Sequence, residues 1–177
     1  MFELSHLYHL FKPENNENQI TSLDFVMGGT QYAPNFVKGV VLCSVVSSEV
    51  ETSNTKTLHK IDDENLQIKE ASYVRYTLQL DIYKQNGKNS LEIEAFSEAL
   101  RLREWLHSYY VEDYLSKKSA EILQNFSIIQ TTSELIENKL INRAFFDFAI
   151  VSKVEIIEND KSLKNIVLVG ENINERN

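Results

Sequence analysis

Residues 72–84, with the sequence SYVRYTLQLDIYK, decide the fold of this 177-residue chain. Apolar and polar side chains alternate along them, which is typical of a β-strand that lays one face on a hydrophobic core. The predicted core face carries Val74, Tyr76, Leu78, Leu80 and Ile82. Residues 85–88 include an Asn-Gly pair, so we expect the strand to end in a turn there.

A long helix is predicted directly after this turn, from Asn89 to about Tyr110. Asn89 and Glu92 have the spacing of a capping box, and no Gly or Pro interrupts the segment. Apolar residues recur at helical spacing and predict a broad buried stripe. That stripe comprises Ala95, Phe96, Ala99, Leu100, Leu102, Leu106 and Tyr109. Residues 111–123 are expected to continue as a shorter helical or irregular piece.

A short helix is predicted over residues 1–11, because apolar residues recur there with helical spacing. Its predicted apolar face comprises Leu4, Leu7, Tyr8 and Phe11. Pro13 is expected to close the helix, since the residue before a proline disfavours the α conformation. Residues 14–35 have weak periodicity and many turn formers, so we expect an irregular segment that could lie across a neighbouring subunit.

Residues 36–69 predict a long β-hairpin. Residues 36–50 are apolar on both alternating faces, so we expect both faces to be mostly buried. Residues 51–56 are polar and predict a turn. Residues 57–69 form a weaker, more polar strand pattern, which the acidic residues 62–65 interrupt. We therefore expect the tip of this hairpin to be acidic and solvated.

Two further strands are predicted in the second half of the chain. Residues 124–131 predict a short strand, and residues 132–140 read as a connection. Residues 142–157 predict the last long strand, with alternating faces. Its predicted apolar face comprises Ala144, Phe146, Phe148, Ile150, Val154 and Ile156.

The order of these elements predicts an α+β fold. Strands come in runs and do not alternate strictly with helices, which favours an antiparallel or mixed β-sheet, with a long β-hairpin, packed by two main helices. We expect one domain over residues 1–158 and an extended C-terminal arm over residues 159–177. The arm is polar except for Ile166, Val167, Leu168 and Val169. Our hypothesis is that this β-prone patch adds as a strand to a neighbouring sheet edge.

Composition excludes several classes of function. The formal net charge of -8 argues against non-specific binding to nucleic acid or to an anionic membrane. A single cysteine excludes a disulfide framework and a cysteine zinc cluster, and we expect Cys43 to be a small buried apolar residue. The sequence has no signal-peptide pattern and no apolar run long enough to predict a membrane span.

No motif predicts an enzyme. The chain has no nucleophile elbow, no dinucleotide fingerprint and no P-loop. His6 and His9 stand one helical turn apart, but no third metal ligand accompanies them, so they are interpreted as surface or packing residues. Residues 62–64, Asp-Asp-Glu, lack the spacing of a calcium loop. We therefore expect no catalytic residue, no metal and no cofactor.

Four charged residues are candidates for subunit or partner contacts. Asp81 and Asp147 project from the polar faces of the two clearest strands, with Arg75 and Arg143 on the same respective faces. A carboxylate pair could serve acid–base chemistry, but the neighbouring cations favour charge pairing. This pairing could run across strands within one subunit or across a subunit boundary, and both alternatives remain open here.

Residues 73–83, YVRYTLQLDIY, followed by a turn and a long helix, resemble the phage neck or tail terminator (tail-completion) family. That family shows a strand of the type V-Q-V-D-V-Y/F-G before a long helix, then a short strand and a final strand opening with Arg and aromatics. Here residues 125–131 and 143–148, RAFFDF, resemble the last two parts. The resemblance covers residues 36–157. The proline-rich segment before the first strand is reduced to Pro34, and the C-terminal arm is unmatched.

The resemblance implies a structural virion protein of the tail or neck, assembled in the host cytoplasm. Such proteins form a homohexameric ring that caps the tail tube, ends its polymerisation and joins it to the head connector or stopper. The tail sheath is a further partner if the tail is contractile, and DNA passes through without specific binding. The alternative is a head–tail connector, an adaptor or a minor tail protein of the same assembly. A small-molecule enzyme or binding domain is the third reading.

Overall fold

The computed structural model describes residues 2–12, 20–28, 39–60, 66–85, 94–136 and 138–160, with backbone only over 51–60, 66–70, 136 and 156–160. These residues form three helices and six strands. The helices are α1 (Ser5–Phe11), α2 (Glu94–Leu106) and α3 (Tyr109–Ser116). The strands are β1 (Asp24–Met27), β2 (Val40–Lys60), β3 (Leu66–Lys84), β4 (Ala120–Leu123), β5 (Gln130–Ile136) and β6 (Lys139–Asp160). The predicted α+β class is confirmed.

The six strands form one mixed sheet in the order β1-β2-β3-β6-β4, and β5 also pairs with β6. β1 runs parallel to β2, with Phe25 opposite Val41. β4 and β5 both run antiparallel to β6, where Thr132 of β5 lies opposite Arg143. The sheet therefore has β1 at one edge and the β4 and β5 strands at the other.

The core lies on one face of the sheet, where alternate residues of β3 and β6 meet the helices. Leu78, Leu80 and Ile82 are fully buried, as the alternation of residues 72–84 predicts. Phe146 and Phe148 face the same core from β6. Each such side chain contributes about 1.5–3 kcal/mol when it leaves water, so this layer holds the helices on the sheet.

Helix α1 is confirmed, but its buried face differs from the prediction. Leu7, Leu10 and Phe11 are fully buried, whereas Tyr8 is 43% exposed. Phe11 stacks on Phe25 of β1 with ring centroids 4.3 Å apart. Leu10, rather than Tyr8, therefore shares the buried face of the helix with Leu7 and Phe11.

The single long helix predicted to end near Tyr110 is wrong, because the structure divides it into α2 and α3. Ser108 has extended backbone angles, and its side chain accepts a hydrogen bond from the N–H of Val111, so it caps α3. The predicted stripe is also too broad, since Phe96, Leu100 and Tyr109 are exposed. The predicted capping pair Asn89 and Glu92 and the proposed end at Pro13 lie outside the described residues.

The strands of the first half differ from the prediction in position and length, although three were predicted and three are observed. β1 lies inside the segment 14–35, which was expected to be irregular. β2 continues through the predicted turn at 51–56, and residues 72–84 are the second half of β3 rather than a strand of their own. The predicted acidic tip at 62–65 lies outside the described residues.

The expected burial of both faces over residues 36–50 is wrong for the second part of that segment. Val40, Val41 and Cys43 are fully buried, but Val46 is 59% and Val50 is 64% exposed. Apolar composition alone does not show where along a strand its packing partners end. The exposed part of β2 is therefore a surface feature that the sequence pattern did not predict.

The prediction for residues 124–140 is also wrong in its boundaries. Residues 124–129 are irregular, and strands lie on either side of them as β4 and β5. β5 occupies most of the predicted connection 132–140 and pairs along its whole length with β6. The last long strand is confirmed as β6, with Ala144, Phe146, Phe148 and Ile150 buried.

The chain divides into two compact units. The first comprises Met1–Glu51 and Tyr73–Val154. The second comprises Thr52–Ser72 and Glu155–Asn177. The three helices and the side chains discussed below belong to the first unit. The division into a domain over 1–158 and an arm over 159–177 stays a prediction.

Gly39, at the start of β2, is expected to tolerate no side chain. Its φ angle is +95°, and an added Cβ would lie 2.6 Å from Cδ2 of Leu23. We predict that Gly39→Ala lowers the free energy of unfolding by about 1–3 kcal/mol, from backbone strain together with the steric clash. Urea denaturation would measure this. Gly28→Ala is the matched control, because its added Cβ would also lie 2.6 Å from the nearest atom, the Ser44 hydroxyl oxygen, but its φ is not positive, so the difference between the two variants reports the backbone strain at Gly39.

Candidate interaction surfaces

A charged cluster occupies the face of the sheet opposite the helices. Arg143 of β6 donates to Oδ1 of Asp81 on β3 from both Nε and Nη2, at 2.8 and 2.6 Å. Its Nη1 donates to Oε1 of Glu134 on β5 at 3.3 Å. Strand alternation places Asp81 between the buried residues Leu80 and Ile82, so its side chain points away from the helices. Arg143 therefore ties three strands together.

The Arg143–Asp81 pair is poorly solvated. The side chain of Asp81 is 5% exposed and that of Arg143 is 25% exposed. Burial raises the pKa of Asp81, and the hydrogen bonds and charge of Arg143 oppose that rise. The guanidinium carbon of Arg143 also lies 4.6 Å from the ring centroid of Phe145, within cation–π range. The arginine is thus held by charge and by an aromatic face.

Position along the strands predicts Arg75 near Asp81 and Arg143 near Asp147, but the structure gives Asp81, Arg143 and Asp147 other partners. Arg143 pairs across strands with Asp81, and Asp147 accepts a hydrogen bond from Nε2 of Gln79 at 2.9 Å. The backbone N–H of Asp147 also donates to Oγ of Ser127 at 2.7 Å. Within the described residues, no ion pair involves Arg75. Whether any of these residues touches another subunit stays a prediction.

Sequence reasoning missed three members of this polar cluster. Glu134, Gln79 and Ser127 carry no motif and lie in segments whose pairing only the sheet order reveals. A signal exists for Gln79 alone, because it shares the polar face of residues 72–84 with Asp81. The predicted patch Ile166, Val167, Leu168 and Val169 lies outside the described residues.

Exposed apolar side chains lie on both faces of β2. Val45 is 43% exposed, and its neighbour Val46, which points to the opposite face, is 59% exposed. Val50 is 64% exposed on the same face as Val46. Exposed apolar side chains on one strand can form a site of contact with other proteins. We call Val45, Val46 and Val50 the β2 valine patch.

His6 and Cys43, which were considered for metal or thiol chemistry, have structural roles in the fold. Nδ1 of His6 accepts a hydrogen bond from the backbone N–H of Glu3 at 2.9 Å. Burial raises the pKa of Cys43 to about 12, so this thiol stays protonated. Among the residues that the structure describes, no group of three or more His, Cys, Asp or Glu side chains could hold a metal ion.

The described residues form an α+β fold that exposes a charged cluster and several apolar side chains. A family model described as phage neck terminator protein matches residues 18–176, and the chain belongs to this family. It is therefore a structural protein of the phage tail and neck, located in the virion, where it contacts other tail and head proteins. No curated protein matches the chain. In the described part of the chain, no helix has the length and apolar character needed to cross a membrane.

Proposed function

We propose that this protein forms a homohexameric ring on the end of the phage tail tube, where it stops polymerisation of the tube and presents the surface to which the head connector or stopper binds. The observation that carries the proposal is the β2 valine patch. Apolar side chains on both faces of one strand need cover on both sides, and association with other subunits supplies it. If the tail is contractile, the sheath meets the same ring.

Ring closure requires a heterologous interface, in which two different surfaces of one subunit meet those of its neighbours. The predicted contact residues Arg75, Asp81, Arg143 and Asp147 are proposed to border these surfaces. The arm residues 166–169 are proposed to add as a strand to a neighbouring sheet edge. The net charge of -8 per copy supports an acidic lumen through which DNA slides without being bound.

We predict that phage carrying Val46→Asp assemble over-long tails with few attached heads. The carboxylate would be forced into an apolar contact, and a cost of about 1–3 kcal/mol corresponds to a roughly 5- to 150-fold loss of ring affinity. Electron microscopy of lysates gives tail lengths and the fraction of tails with heads. Ile128→Asp is the matched control, because it adds the same charge at an apolar residue that is 82% exposed and lies outside β2.

Phage that lack the protein altogether distinguish a role in capping the tail from a role in joining it to the head. Over-long tails in its absence, restored to normal length by the wild-type chain, are the expected result. Tails of normal length that merely fail to join heads would contradict the capping role and indicate the head–tail adaptor instead.

A further inference from the structure

An apolar groove lies at the β1 edge of the sheet, between α1 and β1. Its volume is about 570 Å³, and its apolar lining comes from Tyr8, Phe25, Val26 and Met27. Tyr8 is 43% exposed at the groove, although it belongs to a helix that is otherwise well packed. Asp24 and Lys12 also line the groove, with half-exposed side chains 3.5 Å apart. The groove can therefore accept apolar side chains beside a charged border.

An apolar projection lies at the opposite edge of the same sheet, near the turn between β5 and β6. Leu135 of β5 is directly opposite Leu140 of β6, so the two side chains share one face of the hairpin. They are 72% and 62% exposed. Burial of a leucine contributes about 1.5–3 kcal/mol, so this pair would gain considerably from a partner. Lys139, beside Leu140, is exposed and carries a positive charge.

These two surfaces have the arrangement that a closed ring needs. They differ from each other, and they lie at opposite edges of one sheet within one compact unit. A two-fold dimer would instead need a single self-complementary patch. The charges are compatible with this pairing, because Lys139 flanks the projection and the groove border carries Asp24, which is 44% exposed beside Lys12. A second copy of this chain is therefore the occupant that the observations favour.

We propose that Leu135 and Leu140 of one copy insert into the groove between α1 and β1 of the next copy, with Lys139 beside Asp24. This interface rests on the proposed ring and names the surfaces that build it. Repeated around the ring, the same contact uses both edges of every sheet and leaves neither the projection nor the groove in solvent.

Cross-linking of mixed single-cysteine variants tests this pairing. Leu135→Cys places a thiol on the projection, and Ser5→Cys places one on the exposed border of the groove. Cys43 supplies no background, since it is buried and its pKa is raised to about 12. With a short bis-maleimide, we expect cross-linked dimers in the mixture and none in either variant alone. A chain with both cysteines should give a ladder that ends at the size of the ring.

Several results would overturn the interface. Coupling of Leu135→Cys to itself would indicate a two-fold contact, and an oligomer or virion neck that yields no mixed cross-link would exclude the pairing. Lys117→Cys, on the exposed end of α3, is the control position and should not couple to Ser5→Cys. If tails end normally but virions show no mixed cross-link, the interface fails while the capping role stands. If cross-links form but tail length is unregulated, the capping role fails alone.

Charge and polarity variants give a second readout of the same contact. Leu135→Asp should weaken self-association at least tenfold, whereas Ile128→Asp, at a residue that is 82% exposed, should leave it unchanged. Lys139→Glu should weaken it less than Leu135→Asp does, because Lys12 pairs with Asp24 at the groove border. Equal effects of the Leu135 and Ile128 variants would show that general surface polarity, rather than this pairing, controls association.

Discussion

Replacement of Arg143 by Met is expected to lower the free energy of unfolding by roughly 3 kcal/mol at neutral pH. The arginine is the charge partner of Asp81, whose side chain is 5% exposed, and removal of one member of a buried pair leaves the other uncompensated. We expect a loss at the lower end of the range for broken buried ion pairs, because Asp81 can take up a proton and then carries no unpaired charge. Urea denaturation measures the change.

The pH dependence of this variant distinguishes a buried charge from lost packing. Burial already raises the pKa of Asp81, and removal of Arg143 would raise it further. A carboxyl whose pKa is higher in the folded than in the unfolded chain stabilises the fold below its unfolded pKa, and this contribution is lost as pH rises through its folded pKa. Arg143→Met should therefore approach the wild type in mild acid and differ most at neutral pH.

The double variant Asp81→Asn with Arg143→Met is the control for this reading. It removes both charges, so it should recover most of the lost stability and lose the extra pH dependence. A double variant no more stable than Arg143→Met would show that packing of the arginine on Phe145 dominates. A stable Arg143→Glu chain that still assembles would remove Arg143 from the proposed contact residues.

Phe11→Ala is expected to cost about 3–5 kcal/mol of stability, the largest effect we predict for α1. Phe11 is fully buried between Phe25, at a centroid distance of 4.3 Å, and Trp105, at 5.2 Å. Its loss leaves a cavity where α1 contacts both the sheet and α2. Trp105 is the only tryptophan of the chain, so its fluorescence reports this site directly during denaturation.

Tyr8→Ala is the matched control for Phe11→Ala. Tyr8 is an aromatic residue on the same helix, but it is 43% exposed, so its truncation should cost well under half as much. Similar losses for both variants would contradict the burial pattern described for α1 and would support the face predicted from spacing.

The sequence predicts β6 and the second half of β3 well because their patterns repeat many times. β3 and β6 each alternate over many residues, so a few exceptions do not hide the period. β1 and β4 have four residues each, too few for any period to stand out. The break at Ser108 is likewise hidden, because Trp105 and the aromatics after it continue a helical spacing that the backbone does not follow.

The charged cluster could be predicted only in part. Alternation correctly places Asp81 and Arg143 on polar faces, but it does not say which strands are neighbours. Their pairing depends on β3 lying beside β6, across 62 residues of sequence. Apolar runs have the same weakness, because Val41 and Val46 look alike in the sequence and only the positions of other elements decide that one is buried and the other exposed.

Native contacts between segments that are far apart in the sequence determine when, during synthesis, this protein can fold. Tyr114 donates a hydrogen bond to the backbone oxygen of His6, 108 residues earlier, and Thr21 donates to Glu98 across 77 residues. Such non-local closure slows folding relative to helical proteins of similar stability. During synthesis, α1 cannot dock fully until α3 has left the ribosome. A chain that ends before α3 therefore lacks the Tyr114–His6 hydrogen bond, which is one of the contacts that hold α1 in place.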